Sequence, residues 1–176
     1  MGIVATSAPL PPCAACGFDS ATVPLTEVAG RLTALVAVLA ERLVANPVER
    51  LRARHMPGWT ALEYAGHTAD VLELFARRVA HLLAADEPEL EVIDHDALVA
   101  AGRHNDRTPD ETADRLRSGL AALTAELAGV TGPAWDRGGT RAGERRTVRE
   151  TAYRAAHELI HHGMDIDRRL GPDQAK

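Results

Sequence analysis

The segment from Thr60 to Leu83, TALEYAGHTADVLELFARRVAHLL, decides the fold, because its apolar residues recur every three or four positions. This period is that of one face of an α-helix. Thr60 is a suitable N-cap, and Glu63 stands three residues later, at the spacing of a capping box. The apolar face comprises Leu62, Ala65, Ala69, Leu72, Phe75, Ala76, Val79 and Leu83. The sequence therefore predicts a long amphipathic helix that begins at Thr60 and ends near Asp86.

Three further segments have the same helical period. One begins at Leu25 and stops before Pro47, one begins at Thr108 and ends at residues 129–132, and one is capped by Thr147 and reaches Leu170. Residues 88–109 form a long connection, with a short helical turn expected at 94–101. No run alternates like a strand with hairpin residues beside it. We therefore predict an all-α, antiparallel four-helix bundle with one long crossover connection.

The domain organisation follows from length and proline content. A chain of 176 residues with 45% hydrophobic residues fits one domain with a single core. Residues 1–23 contain three prolines and both cysteines without any period, and we expect them to form an extended N-terminal arm. The bundle is predicted over residues 24–171, with residues 172–176 as a C-terminal tail.

Charge and hydropathy exclude several classes of partner. The net charge of -5 and the 3% aromatic content argue against nucleic-acid binding. The longest apolar run, 32–43, is interrupted by Glu41 and Arg42, so no membrane span is predicted. The N-terminus lacks the basic start of a secretory signal, and we expect a cytoplasmic protein, with a homodimer possible.

Three histidines form a candidate metal site. His157 and His161 stand four residues apart on the last predicted helix, so their side chains lie one above the other. His67 lies on the apolar side of the second helix and reaches the same ion if the two helices are neighbours. Three neutral imidazoles with an open fourth position suit catalytic zinc, with nickel as the next choice. His162 is expected to point elsewhere. Taken singly, these histidines are equally well a satisfied core residue or a solvated helix face.

Other polar side chains are candidates for supporting roles. Glu63 precedes His67 by one turn, and a solvated helix position is favoured over contact with a metal ligand. Tyr153 and Asp165 stand one turn on either side of the histidine pair, where they could orient ligands or protons, although Tyr153 suits the core equally well. Arg145 and Arg149 could bind a thiol cofactor or an anionic substrate, but a solvated surface is the favoured interpretation.

The cysteines Cys13 and Cys16 lie in the motif CAACG of the arm. In a reducing compartment such a pair is a metal half-site, a redox pair or neutral. There is no second cysteine pair to complete a four-sulfur zinc site, so histidine or a partner subunit would have to contribute. A redox role lacks the βαβ context of thioredoxins. A structural or accidental role is favoured.

Two motifs carry a resemblance to the DinB-like superfamily: WTALEYAGHTADVL at residues 59–72 and AHELIHHGMDIDR at residues 156–168. The segment HDALVAAGRHNDR at 95–107 and Trp135 fall at matching places, so the resemblance covers about residues 25–170. It implies a four-helix bundle with a three-histidine metal site, here His67, His157 and His161. Members of known activity include thiol-dependent S-transferases and the metal-binding domain of mycothiol-dependent maleylpyruvate isomerase.

Three functions compete at the level of sequence. The first is a metal-dependent S-transferase that joins a low-molecular-weight thiol, mycothiol above all, to a small electrophile. The second is a metal-dependent hydrolase or isomerase in which the ion holds water. The third is a non-catalytic, metal-binding stress-response or regulatory bundle, which a fourth protein ligand closing the coordination sphere would favour. The first is the preferred hypothesis.

Overall fold

The computed structural model describes residues 9–171 and confirms the predicted bundle. The predicted tail and residues 1–8 of the arm lie outside the described residues. Six α-helices follow one another in the part described: α1 (Val28–Val44), α2 (Val48–Leu51), α3 (Ala61–Ala84), α4 (His95–Gly102), α5 (Pro109–Ala128) and α6 (Val148–Leu170). Short 3-10 helices lie at Ser20–Thr22, Leu25–Glu27, His104–Asp106 and Gly132–Asp136.

The four long helices, α1, α3, α5 and α6, enclose the core. Helix α3 packs against both α5 and α6, and α1 packs against the same two helices. The first two long helices, α1 and α3, therefore lie diagonally across the bundle. The largest fully buried apolar side chains are Leu32, Leu43, Leu51, Leu62, Leu72, Leu74, Leu82, Leu116, Leu123 and Ile166. The packing of α3 against α6 meets the condition under which His67 was expected to approach the last helix.

Helices α3 and α5 begin with complete capping boxes. The N–H of Glu63 donates to the Thr60 hydroxyl at 3.1 Å, and the N–H of Thr60 donates to the Glu63 carboxylate at 2.8 Å. Thr108 and Glu111 repeat this arrangement at the start of α5. The Thr60 hydroxyl also donates to Asn105 Oδ1 at 2.8 Å, so the cap of α3 fastens the crossover segment as well.

The double role of Thr60 leads to a stability prediction. Thr60→Ala should lower the free energy of unfolding by about 2 kcal/mol, because it removes the cap and leaves the half-buried amide oxygen of Asn105 without its donor. Thr108→Ala is the matched control, since it removes the same cap without such a contact, and about 1 kcal/mol is expected. Urea unfolding of both variants checks this, and equal losses would contradict a role for the Asn105 contact.

A short β-hairpin departs from the purely helical prediction. Strands β1 (Gly138–Arg141) and β2 (Glu144–Thr147) pair antiparallel, with Gly138 opposite Thr147. Ala142 and Gly143 form the two-residue turn with φ of +50° and +80°, as a type I′ turn requires. The strands are only four residues long and carry no apolar alternation, so their sequence gave no strand signal. The hairpin is minor and leaves the bundle architecture unchanged.

The described part of the arm packs onto the bundle. Phe18 and Val23 are each only 6% exposed and join the hydrophobic core. The Tyr153 hydroxyl on α6 donates to the carbonyl of Val23 at 2.9 Å. The arm is therefore held against α6, although the domain boundary at residue 23 stays a prediction.

A buried polar cluster joins α3 to the crossover and to α5. His104 Nε2 lies 3.0 Å from Asp70 Oδ2, and Arg115 lies 2.7 Å from Asp70 Oδ1. The His104 ring sits against Gly66 of α3, where an added Cβ would come within 2.3 Å of it. Burial raises the pKa of Asp70, but hydrogen bonds from His104 and Arg115 outweigh it and hold this pKa below its ordinary value. The cluster fixes the crossover over one end of α3.

None of the helices described over residues 9–171 is long and apolar enough to cross a membrane.

Candidate metal centre

The candidate site is an open cavity of about 290 Å³ between α3, α6 and the crossover. Five of its seven lining residues are histidine or glutamate from α3 and α6. The lining comprises Trp59, His67, His95, His157, Glu158, His161 and His162. A cavity lined mainly by imidazole and carboxylate groups has the donor chemistry of a divalent metal site.

One group of metal-binding donors joins α3 to α6. Ligand atoms of His67, Glu158 and His162 all lie within 4.8 Å of one another. His162 Nε2 is 3.0 Å from Glu158 Oε2, and the centroids of the His67 and His162 rings are 5.1 Å apart. His67 is only 2% exposed, and its Nδ1 is buried without a hydrogen-bond partner. A buried nitrogen without a hydrogen-bond partner, close to a carboxylate, is suited to binding a cation.

The electrostatics of this group favour metal binding by His67. Burial, together with repulsion from His162 and His95, lowers the pKa of His67 to about 4. Its imidazole is therefore neutral at physiological pH, as a metal ligand must be. Burial raises the pKa of Glu158 and lowers that of His162, but their mutual hydrogen bond reverses both shifts. Both shifts favour the charged forms of the two residues.

A second group of donors joins α6 to the arm. Ligand atoms of Cys13, Cys16, His157 and His161 also lie within 4.8 Å of one another. Cys13 Sγ is 3.6 Å from His161 Nδ1. The backbone N–H of Cys16, followed by the side chain of His157, lowers the pKa of Cys13 to about 5, whereas burial raises the pKa of Cys16. Cys13 is therefore the more readily ionised of two free thiols.

The structure divides the three histidines predicted as ligands between these two groups. His67 lies with Glu158 and His162, whereas His157 and His161 lie with the cysteines. The expectation that His162 points elsewhere was wrong, because α3 meets α6 on the side that carries residues 158 and 162. The spacing Glu-x-x-x-His was visible in the sequence and equals that of the histidine pair. The ligand set itself stays a prediction.

The three residues predicted to support the metal site differ in what they contact. Asp165 accepts from His162 Nδ1 at 3.2 Å and also lies 3.7 Å from His161 Nε2, so it touches a histidine of each group. Tyr153 instead holds the arm through Val23. Glu63 is occupied by its capping box and by Arg54, 2.7 Å away, and it does not line the cavity.

The arginines predicted to bind a cofactor are engaged within the chain. Arg145 lies 3.2 Å from Glu87, and Arg149 makes two hydrogen bonds to Asp136. A neighbouring cavity of about 90 Å³ shares His95 and Glu158 with the metal cavity. Its walls carry four other arginines: Arg78, Arg141, Arg146 and Arg154. The Nε atoms of Arg78 and Arg141 are buried without a hydrogen-bond partner.

Comparisons with known proteins agree with this architecture. A family model described as the DinB superfamily matches residues 25–166. YfiT from Bacillus subtilis, described as a probable metal-dependent hydrolase with an unusual four-helix bundle topology, has 20% identity and a TM-score of 0.72, covering 84% of this chain and 87% of its own. The mycothiol-dependent maleylpyruvate isomerase has 17% identity and a TM-score of 0.65, covering 84% of this chain and 66% of its own. No curated protein sequence matches significantly. Because the family model spans most of the chain, this protein belongs to the DinB superfamily.

Proposed function

We propose that the protein is a metal-dependent S-transferase that joins a low-molecular-weight thiol, such as mycothiol, to a small anionic electrophile. The observation that carries this proposal is the group His67, Glu158 and His162, whose donor atoms lie within 4.8 Å of one another in the wall of an open cavity. These residues would hold one divalent ion, zinc or nickel. The set predicted from the sequence shares His67 but takes His157 and His161 as its partners.

The donor chemistry supports a catalytic rather than a structural ion. Two imidazoles and one carboxylate form a set that zinc enzymes use, with the remaining position open to a ligand. The cavity of about 290 Å³ provides room for that ligand. Glu63, which precedes His67 by one turn and is therefore a candidate fourth ligand, is committed to the cap of α3. When bound, the metal would lower the pKa of an incoming thiol and so keep it as a thiolate at neutral pH.

The chain's own residues orient and confine the reactants. Asp165 accepts a hydrogen bond from Nδ1 of His162, which leaves Nε2 facing Glu158 and the site. The Trp59 ring lies 4.8 Å from that of His67 and shields this histidine from solvent. Holding a thiol and an electrophile together in one cavity supplies much of the rate enhancement through proximity.

The arginine-lined cavity supports a negative charge on one reactant. Arg78 and Arg141 each keep a buried nitrogen free for an acceptor, and the pKa of Arg78 is lowered to about 10 by burial and by the neighbouring Arg141. A carboxylate bound there would relieve this repulsion and satisfy both donors. Because His95 and Glu158 border both cavities, such an anion would lie next to the metal cavity.

The proposal predicts a thiol-dependent and metal-dependent reaction. Metal-loaded protein, incubated with mycothiol, bacillithiol or glutathione and a chlorobimane, should form conjugate at least about 10-fold faster with its preferred thiol than without protein. Chelation should abolish the rate, and added zinc or nickel should restore it, because the proposal activates the thiol through the metal ion. Fluorescence of the conjugate gives the rate.

The matched control is His81→Ala, which removes an exposed histidine of α3 away from the cavity and should leave the rate unchanged. A rate no better than that of chelated protein with every thiol would overturn the proposal. Hydrolysis of esters or amides without any thiol would instead favour the hydrolase alternative.

A further inference from the structure

We propose that Cys13, Cys16, His157 and His161 form a second metal site, a structural Cys₂His₂ zinc site that fastens the N-terminal arm to α6. It goes beyond the proposed function, because it uses four residues that the catalytic group does not need and binds a separate ion.

The geometry of the four donors suits zinc. Their ligand atoms all lie within 4.8 Å of one another. Around tetrahedral zinc, nitrogen and sulfur ligands lie roughly 3.3–3.8 Å apart. The 3.6 Å between Cys13 Sγ and His161 Nδ1 is already in that range, so the other donors need only small movements. Four protein ligands leave no open position, which distinguishes a structural site from a catalytic one.

The arm is shaped to present two sulfurs together. The N–H of Gly17 donates to the carbonyl of Cys13 at 2.8 Å, and the N–H of Cys13 donates to the carbonyl of Phe18 at 2.9 Å. Gly17 has a φ of +73°, which favours glycine at this position. The backbone N–H groups of Cys16 and Ala15 hydrogen-bond to the Cys13 sulfur. This closed turn holds the cysteine pair in place before any metal arrives.

Helix α6 presents two nitrogens to the same point. His157 and His161 stand one helical turn apart, and their ring centroids are 5.3 Å apart. His157 packs against Phe18 of the arm at 5.7 Å, and its Nε2 is buried without a hydrogen-bond partner. Asp165 lies 3.7 Å from Nε2 of His161, so it can orient this histidine while Nδ1 faces Cys13.

Cobalt substitution tests the site directly. Protein stripped of metal, reduced with a phosphine and loaded with Co²⁺ without any added thiol should bind two ions per chain. It should show the near-ultraviolet charge-transfer absorption of cobalt bound to thiolate. The double variant Cys13→Ser/Cys16→Ser should lose that absorption and one ion, while the second ion and the chelator-sensitive thiol transfer remain. His162→Ala should do the reverse, losing one ion but keeping the thiolate absorption.

The same variants separate failure of this site from failure of the proposed function. Absence of thiolate absorption in the reduced wild-type protein would overturn the second site, whatever the enzymatic result. Unchanged cobalt binding in the double serine variant would also overturn the second site. A disulfide between the two cysteines of the wild-type protein would lead to that result and would count against the site in the same way. Limited proteolysis provides a second readout: cleavage within residues 9–23 should be slowed by metal in the wild-type protein but not in the serine variant. Equal cleavage in both would also contradict the tether.

Discussion

Replacing His162 with alanine should lower the rate of thiol transfer by at least about 100-fold and remove one metal ion per chain. Even residues that only support a metal ligand typically contribute 10- to 100-fold, so loss of a ligand should cost at least as much. His162 Nε2 also lies 3.0 Å from Glu158 Oε2, so the variant removes the nearest partner of this half-buried carboxylate. Metal analysis and initial rates with the preferred thiol check this expectation.

His161→Ala is the decisive comparison for the ligand set. If His67, Glu158 and His162 hold the catalytic ion, the His161 variant should keep that ion and lose the one bound with the cysteines. The set predicted from the sequence requires the opposite, with His161→Ala inactive and His162→Ala near the wild-type rate. Both sets include His67, so His67→Ala should be inactive in either case. An active His162→Ala variant would therefore restore the sequence-based set.

Replacing Asp70 with alanine should lower the free energy of unfolding by about 3 kcal/mol, because it leaves a buried histidine and a half-buried arginine without their shared carboxylate. The His104 side chain is fully buried, and that of Asp70 is only 13% exposed. Urea unfolding near neutral pH measures the loss. Asp114→Ala is the matched control, since Asp114 also pairs with an arginine at 2.8 Å but its side chain is 75% exposed. A change within about 0.5 kcal/mol is expected there.

The pH dependence of the same difference gives an independent check. The pKa of Asp70 in the folded protein is held below its ordinary value of 3.8. Its contribution is therefore fully present above that value and is lost as the pH falls through the folded-state pKa. The gap between wild-type protein and Asp70→Ala should be constant at neutral pH and shrink below about pH 4. A gap that persisted at pH 2 would mean that the aspartate acts by packing alone.

The helices could be predicted because their signals are local. The apolar periods and the caps at Thr60, Thr108 and Thr147 all lie within one or two turns of the residues they define. The short helical turn expected at residues 94–101 was also predictable from the sequence, and it corresponds to helix α4. The hairpin was not predicted because its strands are short and polar, and because its pairing depends on a turn of only two residues.

The candidate site could be predicted only in part, because its membership depends on helix rotation. The sequence shows that α6 carries two overlapping pairs with the same spacing, 157 with 161 and 158 with 162. Which pair faces α3 depends on a rotation of about 100° that the amphipathic pattern of α6 does not define. The contribution of the arm was even harder to predict from the sequence, because the contact of Cys13 with His161 depends on how the whole chain is folded.

The contact between Cys13 and His161 joins atoms 148 positions apart in a chain of 176 residues. With zinc in place, this contact would turn most of the polypeptide into a closed ring. A cross-link around a loop of this length removes unfolded-state entropy worth about 5 kcal/mol in the simple chain model. A cellular unfoldase pulling from the N-terminal side would meet the cross-link at Cys13 before it reached Phe18, the first buried core residue of the described chain. The lifetime of the protein in the cell would then depend on the supply of metal, independently of any effect of metal on catalysis.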